Sequence, residues 1–185
     1  MAVIGSEDLR HIYKAGEDGI GPASIDLTLQ GEVAIPIVHR GQTVKLGDRI
    51  QYRTVKFTKD RPYILMPGEF VLGATVERID MPLDKCGFVQ GRSSIGRIGL
   101  TVQNAGFIDP GFTGTITLEI VNEAKHPIAL IPGYRVVQIV YMDVLNNAIR
   151  YEGKYNGQVL PTGSRMHMDR EVVKNDGNPD QQAQQ

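Results

Sequence analysis

Apolar and polar positions alternate with a period of two along much of this chain. In Ser24-Ile25-Asp26-Leu27-Thr28-Leu29, the residues Ile25, Leu27 and Leu29 share one face of an extended strand. Residues 115–121 repeat the pattern, with Ile116, Leu118 and Ile120 on one face and Thr115, Thr117 and Glu119 on the other. Strands are also predicted over residues 33–38, 52–57, 63–65, 70–78, 87–90, 128–130 and 136–142. Pro67-Gly68, Pro110-Gly111 and Pro132-Gly133 mark turns between them. One helical signal stands before the first strand: Ser6 as N-cap, Leu9, Ile12 and Tyr13 on one face, and Gly16 as the stop. Short strands with regular turn signals predict an all-β sandwich or barrel. From Arg170 to the end the periodicity stops and polar residues dominate, which predicts a disordered segment over 170–185.

Composition narrows the classes. The 185 residues fit one domain at roughly 150 residues per domain. No apolar run approaches the ~18 residues of a membrane span, and no basic stretch followed by an apolar one opens the chain, so neither membrane insertion nor secretion is expected. The single cysteine, Cys86, forbids an intramolecular disulfide and suits a reducing, cytoplasmic setting. Twenty basic and 21 acidic residues leave a net charge of −1, without the basic excess of a nucleic-acid binder. An anionic substrate would have to be met by local cations. Zinc-dependent nucleobase deaminases need a cluster of several Cys and His ligands, which one cysteine cannot supply, so no zinc is expected. Cys86 reads as a small buried hydrophobe.

The densest chemistry lies between Gln90 and Val121. Gly91-Arg92-Ser93-Ser94-Ile95-Gly96-Arg97 combines glycines, hydroxyls and two guanidinium groups, the donors that phosphate oxygens take; a serine-capped turn with solvated arginines is the plainer alternative. Glu119, in mid-strand, either faces solvent or lines a cavity. In a cavity, desolvation would raise its pKa and suit it to moving protons. Asp109 sits in a turn that it could simply cap. Gln138 interrupts the row Val136, Val140, Met142 and requires a polar partner, a main-chain group being the simplest.

These segments carry a resemblance. Gly91-Arg92-Ser93-Ser94-Ile95-Gly96-Arg97-Ile98-Gly99-Leu100, then Gln103-Asn104-Ala105-Gly106-Phe107-Ile108-Asp109-Pro110-Gly111-Phe112, then Thr117-Leu118-Glu119 resemble the dCTP deaminase branch of the dUTPase superfamily. Pro22-Ala23-Ser24-Ile25-Asp26-Leu27 resembles its N-terminal motif, and Lys154-Tyr155-Asn156-Gly157-Gln158 followed by Ser164-Arg165 its tail motif. The similarity covers residues 1–169 as a single domain, of which 151–169 would be a closing tail.

The resemblance implies a distorted jelly-roll β-barrel of the dUTPase-like type, with a short N-terminal helix. It further implies a homotrimer with active sites between subunits, and metal-free deamination of dCTP with Mg2+ carried on the triphosphate. By motif position, Glu119 is the general acid and base, Arg92, Ser93, Ser94 and Arg97 hold phosphates and position water, and Ile95 and Gly96 between them bind substrate. Asp109 meets the deoxyribose, while Thr117, Leu118 and Glu119 frame the base. Gln138, Tyr151, Lys154 and Gln158 complete nucleotide binding. Feedback by dTTP is common in such proteins. Members that stop at dUTP tend to carry His-Arg before the Ile-Asp pair, whereas members that continue to dUMP carry Gly and an aromatic. Gly106-Phe107 resembles the second kind, with Asp109 activating water on the α-phosphate. The expected reaction is dCTP to dUMP, ammonia and pyrophosphate. A deaminase that releases dUTP, a dUTPase alone and a nucleotide-sensing regulatory protein remain open alternatives.

Overall fold

The computed structural model describes residues 2–13, 18–103, 106–146 and 148–176. Eleven strands dominate these residues: β1 (Ile25–Thr28), β2 (Glu32–Ile37), β3 (Gln51–Lys56), β4 (Tyr63–Leu65), β5 (Phe70–Asp80), β6 (Lys85–Gly91), β7 (Leu100–Gln103), β8 (Phe107–Ile108), β9 (Thr113–Asn122), β10 (Ile128–Leu130) and β11 (Arg135–Asp143). They form a four-stranded sheet in the order β1-β11-β6-β8, a five-stranded sheet in the order β3-β2-β5-β9-β7, and the pair β10-β4. Every pairing between these strands is antiparallel. The expected all-β class is therefore met as a mostly β chain.

Period-two alternation builds the core. Leu27 on β1, Val137 and Ile139 on β11, Val33 on β2, Val71 on β5 and Leu118 on β9 are all wholly buried. Burying one such side chain contributes on the order of 1.5–3 kcal/mol, so the inward faces fix the register of both large sheets. Cys86 is buried, as expected of a small hydrophobe.

Three local expectations change. The helix α1 spans Ser6–Ile12, but its N-cap is Gly5 and Ser6 already lies in the first turn. Leu9 is buried as expected, and the chain leaves the helix at Tyr13, while the expected stop at Gly16 lies outside the described residues. β7 and β8 carried no alternation long enough to mark them. Leu100–Gln103 becomes a strand by pairing with β9, and Phe107–Ile108 by pairing with β6. Finally, the expected disorder over 170–185 gives way in part to a helix α3, Arg170–Asp176. Val172 packs on the turn at Gly47, where a Cβ would lie 2.9 Å from its Cγ1. Residues 177–185 lie outside the described residues.

Two features aim the strands that carry polar residues. Between β5 and β9 the register shifts between Ala74 and Arg78, so Thr75, Val76 and Glu77 oppose Ile116 alone. The buried Thr75 hydroxyl stabilises this bulge, accepting the Ile116 N–H at 2.9 Å and donating to the Glu77 carbonyl at 2.8 Å. After β8, Asp109-Pro110-Gly111-Phe112 closes a turn in which the Phe112 N–H donates to the Asp109 carbonyl at 3.2 Å. Its third position needs a positive φ, which Gly111 supplies at 78°.

Candidate functional site

The polar face of β9 settles the ambiguity at Glu119. Leu118 and Ile120 point into the core, and Thr117 and Glu119 line a cavity of about 420 Å³. Its floor is Phe70 and Leu72 of β5, since Leu72 pairs with Glu119 across the ladder. Asp109 enters from the turn after β8, with Phe107 and Ile108 beside it. Tyr151, Tyr155, Gln158, Thr162 and Ser164 come from the tail.

Burial pushes the Glu119 carboxyl above the usual glutamate range, and a main-chain hydrogen bond opposes this to a lesser degree. The Glu119 Oε2 atom is buried without a protein partner. Gln158 presents a second such atom: its Nε2 donates to the Thr115 carbonyl at 2.9 Å, which pins the amide and leaves Oε1 buried and unpartnered. A carboxylate oxygen and an amide oxygen, both lacking donors in an enclosed space, suit a ligand that brings N–H or O–H groups.

The tail reaches this cavity by pairing with β9. The Gly157 N–H donates to the Thr113 carbonyl at 2.7 Å, and the Thr115 N–H donates to the Gln158 carbonyl at 2.9 Å. Farther on, the Thr162 N–H donates to Thr117 Oγ1 at 3.1 Å. The Tyr151 and Phe112 rings meet 5.9 Å apart.

The guanidinium groups lie elsewhere. Asp26, Arg92, Ser93, Ser94, Arg97 and Gln138 line a second, open cavity of about 430 Å³. Arg92 is the N-cap of a single helical turn, α2 (Ser93–Gly96). Its Nη2 lies 3.1 Å from Asp26 Oδ2, and its Nη1 donates to the Arg135 carbonyl at 3.2 Å. Arg135 Nη1 stands 3.8 Å from the same Asp26 oxygen. Gln138 faces Asp26 across the β1–β11 ladder and accepts from the Ser24 hydroxyl at 3.4 Å, so its partner is a side chain rather than the main-chain group expected.

Of the expected site residues, the structure gathers Asp109, Thr117, Glu119, Tyr151 and Gln158 around one cavity, with Phe107 at its wall. It gathers Arg92, Ser93, Ser94, Arg97 and Gln138 around the other. Among the described residues the two share no lining residue. Five expected residues line neither cavity. Leu118 is wholly buried in the core on the opposite face of β9. Ile95 packs against the core, and Gly96 has open space around it. Lys154, expected at phosphate, is instead ion-paired with Asp169 and lies over the Tyr155 ring at 5.5 Å. Gly106 is the fifth, its carbonyl accepting the Val89 N–H at 2.7 Å.

Sequence reasoning missed Asp26 and Tyr52 as lining residues. Asp26 carried a signal, being a carboxylate in a half-buried strand between Ile25 and Leu27. Tyr52 carried none, because its neighbours in the cavity come from distant parts of the chain. Among the described residues no group of three or more His, Cys, Asp or Glu side chains is placed to hold a metal ion, and no helix is long and apolar enough to cross a membrane.

Comparison with known proteins places the chain in a family. Residues 4–144 match the family described as dCTP deaminase-like. A protein of Methanosphaera stadtmanae named dCTP deaminase, dUMP-forming, is 35% identical over 94% of this chain and 98% of its own length. One of Methanothermobacter thermautotrophicus with the same name is 38% identical over 93% of this chain and 98% of its own. A Halorubrum lacusprofundi protein named dCTP deaminase is 39% identical over 82% of this chain and 80% of its own. The crystal structure of 2'-deoxycytidine 5'-triphosphate deaminase from Agrobacterium tumefaciens superposes with a TM-score of 0.61 over 77% of this chain at 20% identity, which shows a shared fold. This chain spans 48% of that protein's length. On the strength of the family match and these relatives, the chain belongs to the dCTP deaminase-like family.

Proposed function

We propose that this protein deaminates dCTP and hydrolyses the resulting triphosphate, yielding dUMP, ammonia and pyrophosphate. The observation that carries the reading is Glu119: a carboxyl raised by burial, with one oxygen buried and unpartnered in a cavity of nucleoside size. In the ionised form it takes a proton from water. The oxygen of that water bonds to C4 of cytosine, and the proton passes to ring N3. The same carboxyl next moves the proton of the new C4 hydroxyl to the amino group. The C4–N bond breaks, ammonia leaves and the C4 carbonyl forms. A group that must both accept and donate works best with its pKa drawn toward the working pH, which is what burial does to Glu119.

Asp109 supports the second step. It stands on the same cavity as Glu119, beside the uncharged Phe107. A second water, deprotonated with the help of Asp109, would bond to the α-phosphorus while the bond to the β-phosphate oxygen breaks and pyrophosphate leaves. Gly106 adds no side chain at the approach, and Phe107 adds bulk without charge. The names of the Methanosphaera and Methanothermobacter relatives, dUMP-forming in both cases, favour the same outcome.

The phosphates would be met by Arg92, Arg97, Ser93 and Ser94, with Gln138 at the edge of that cavity. Ser93 would also hold water, and Thr117, Tyr151 and Gln158 would enclose the nucleoside. Among the described residues no carboxylate cluster is placed for a resident ion, and Mg2+ would come as part of the substrate, held chiefly by phosphate oxygens. Within one copy the base-facing and phosphate-facing residues line separate cavities, which supports a homotrimer in which adjacent copies complete each site. Exposed Phe88 on β6 supplies apolar surface for such contacts. We infer the same jelly-roll barrel for each copy, a single domain over 1–169 and a closing tail over 151–169. Incubation with dCTP and Mg2+, followed by chromatography of the nucleotides, should give dUMP as the final nucleotide. An absence of any deaminated product would reject the reading.

A further inference from the structure

The tail is held to β9 as far as Thr162, but it ends its path over the cavity at a different strand. Tyr52 stands on β3, three places from β9 in the order β3-β2-β5-β9. At about 4.8 Å per step this is roughly 14 Å of sheet. Phe70 and Leu72 of β5 floor the interval. The roof is the segment 162–164. At one end the Thr162 N–H donates to Thr117 Oγ1 at 3.1 Å, and at the other the Ser164 N–H donates to Tyr52 Oη at 3.1 Å. Two residues of extended chain cover about 7 Å, and the Tyr52 side chain reaches the remainder.

Gly163 is shaped to this contact. Its backbone is outside the left-handed region, so the absence of a side chain is a matter of space rather than conformation. A Cβ on Gly163 would lie 2.3 Å from Tyr52 Cε2 and 2.6 Å from Cδ2. The ring therefore occupies the volume that any other residue at 163 would fill. Tyr52 and Ser164 are 112 residues apart in sequence, both line the cavity of Glu119, and their hydrogen bond joins opposite rims.

We propose that Tyr52 is a positioning residue for the nucleotide reaction, clamping the 162–164 segment across the mouth of the Glu119 cavity through its hydroxyl and through the fit of its ring to Gly163. The inference rests on the function proposed above and adds to it the group that keeps the cavity closed. A roof held in place narrows the path between bulk water and the reacting base and delays escape of the nucleotide. Loosening the clamp costs nucleotide affinity before it costs chemistry.

Two variants test this in the full chain. Tyr52→Phe removes the acceptor and keeps the ring. Gly163→Ala displaces the ring. Tyr52→Phe should raise KM for dCTP about five- to tenfold, the loss of one hydrogen bond, with a smaller fall in kcat. Gly163→Ala should raise it further. Limited trypsin digestion without nucleotide should cut after Arg165 several-fold faster in both variants, while the melting temperature stays that of the unmodified protein. A structural role alone would lower the melting temperature and leave the ratio of KM to kcat effects unbiased. Unchanged KM and unchanged cleavage in Tyr52→Phe, which keeps the ring and so is expected to fold, would overturn the clamp. Faster cleavage with an unchanged KM would overturn its link to the nucleotide. If the unmodified protein turned over no dCTP, the functional reading would fall, and equal cleavage rates would still reject the clamp while faster ones would sustain it.

Discussion

In the proposed reaction Glu119 moves the protons of the deamination step. Its folded-state pKa is raised by burial above that of the unfolded chain. Its contribution to stability is therefore complete below the unfolded value, near about 4.3, and is lost as pH rises through the folded value. Glu119→Gln keeps the shape and cannot ionise. The variant should melt at or above the temperature of the unmodified protein at pH 7, and thermal scans should show the difference vanish below about pH 4. Ammonia release in the same variant should fall by about 10²–10⁴-fold, because the proton relay is gone. Lys154 makes the contrary case, a cation expected at phosphate but paired with Asp169. Both partners are partly exposed, so the pair is weak. Asp169→Asn should free Lys154 and lower KM for dCTP by no more than about fivefold, the advantage shrinking as salt is raised. No change in KM at low salt would show that Lys154 serves the tail alone.

Elements with a long alternating face were legible in the sequence. Ile116, Leu118 and Ile120 announced β9 and its core face, and the same pattern announced Thr117 and Glu119 as its other face. Pattern could not say whether that face met water or a cavity, because the cover comes from Thr162 and Ser164, far along the chain. Phe107–Ile108 is too short to alternate and becomes a strand only by pairing with Gly87 and Phe88. α3 was illegible because Val172 and Val173 alone break a polar run, and its packing on Gly47 is a tertiary contact. The Gly106-Phe107 approach to Asp109 carries the element-scale prediction. Replacing the pair by His-Arg adds volume and a cation beside the expected hydrolytic water. Because Phe107 is half exposed, the fold should tolerate the change. The double variant should keep deaminating and release dUTP, measured by nucleotide chromatography. Equal dUMP from the variant and the unmodified protein would show that the pair does not control the second step.

At the scale of the whole molecule the two cavities pose one question. Glu119 and Asp109 line one, Arg92 and Arg97 the other, and the proposed reaction draws on both. If adjacent copies complete each site, Glu119→Gln and Arg97→Ala chains, each nearly inactive alone, should recover activity when co-expressed into mixed assemblies. Mixed assemblies as inactive as their parents would place the whole site within one copy. Central to the account is that one chain removes the amino group and then the pyrophosphate. The most direct measurement follows ammonia and pyrophosphate side by side in one reaction of the unmodified protein with dCTP and Mg2+. One pyrophosphate should appear for each ammonia, with dUMP as the nucleotide left at the end. Ammonia released without pyrophosphate, with dUTP accumulating in its place, would contradict that claim.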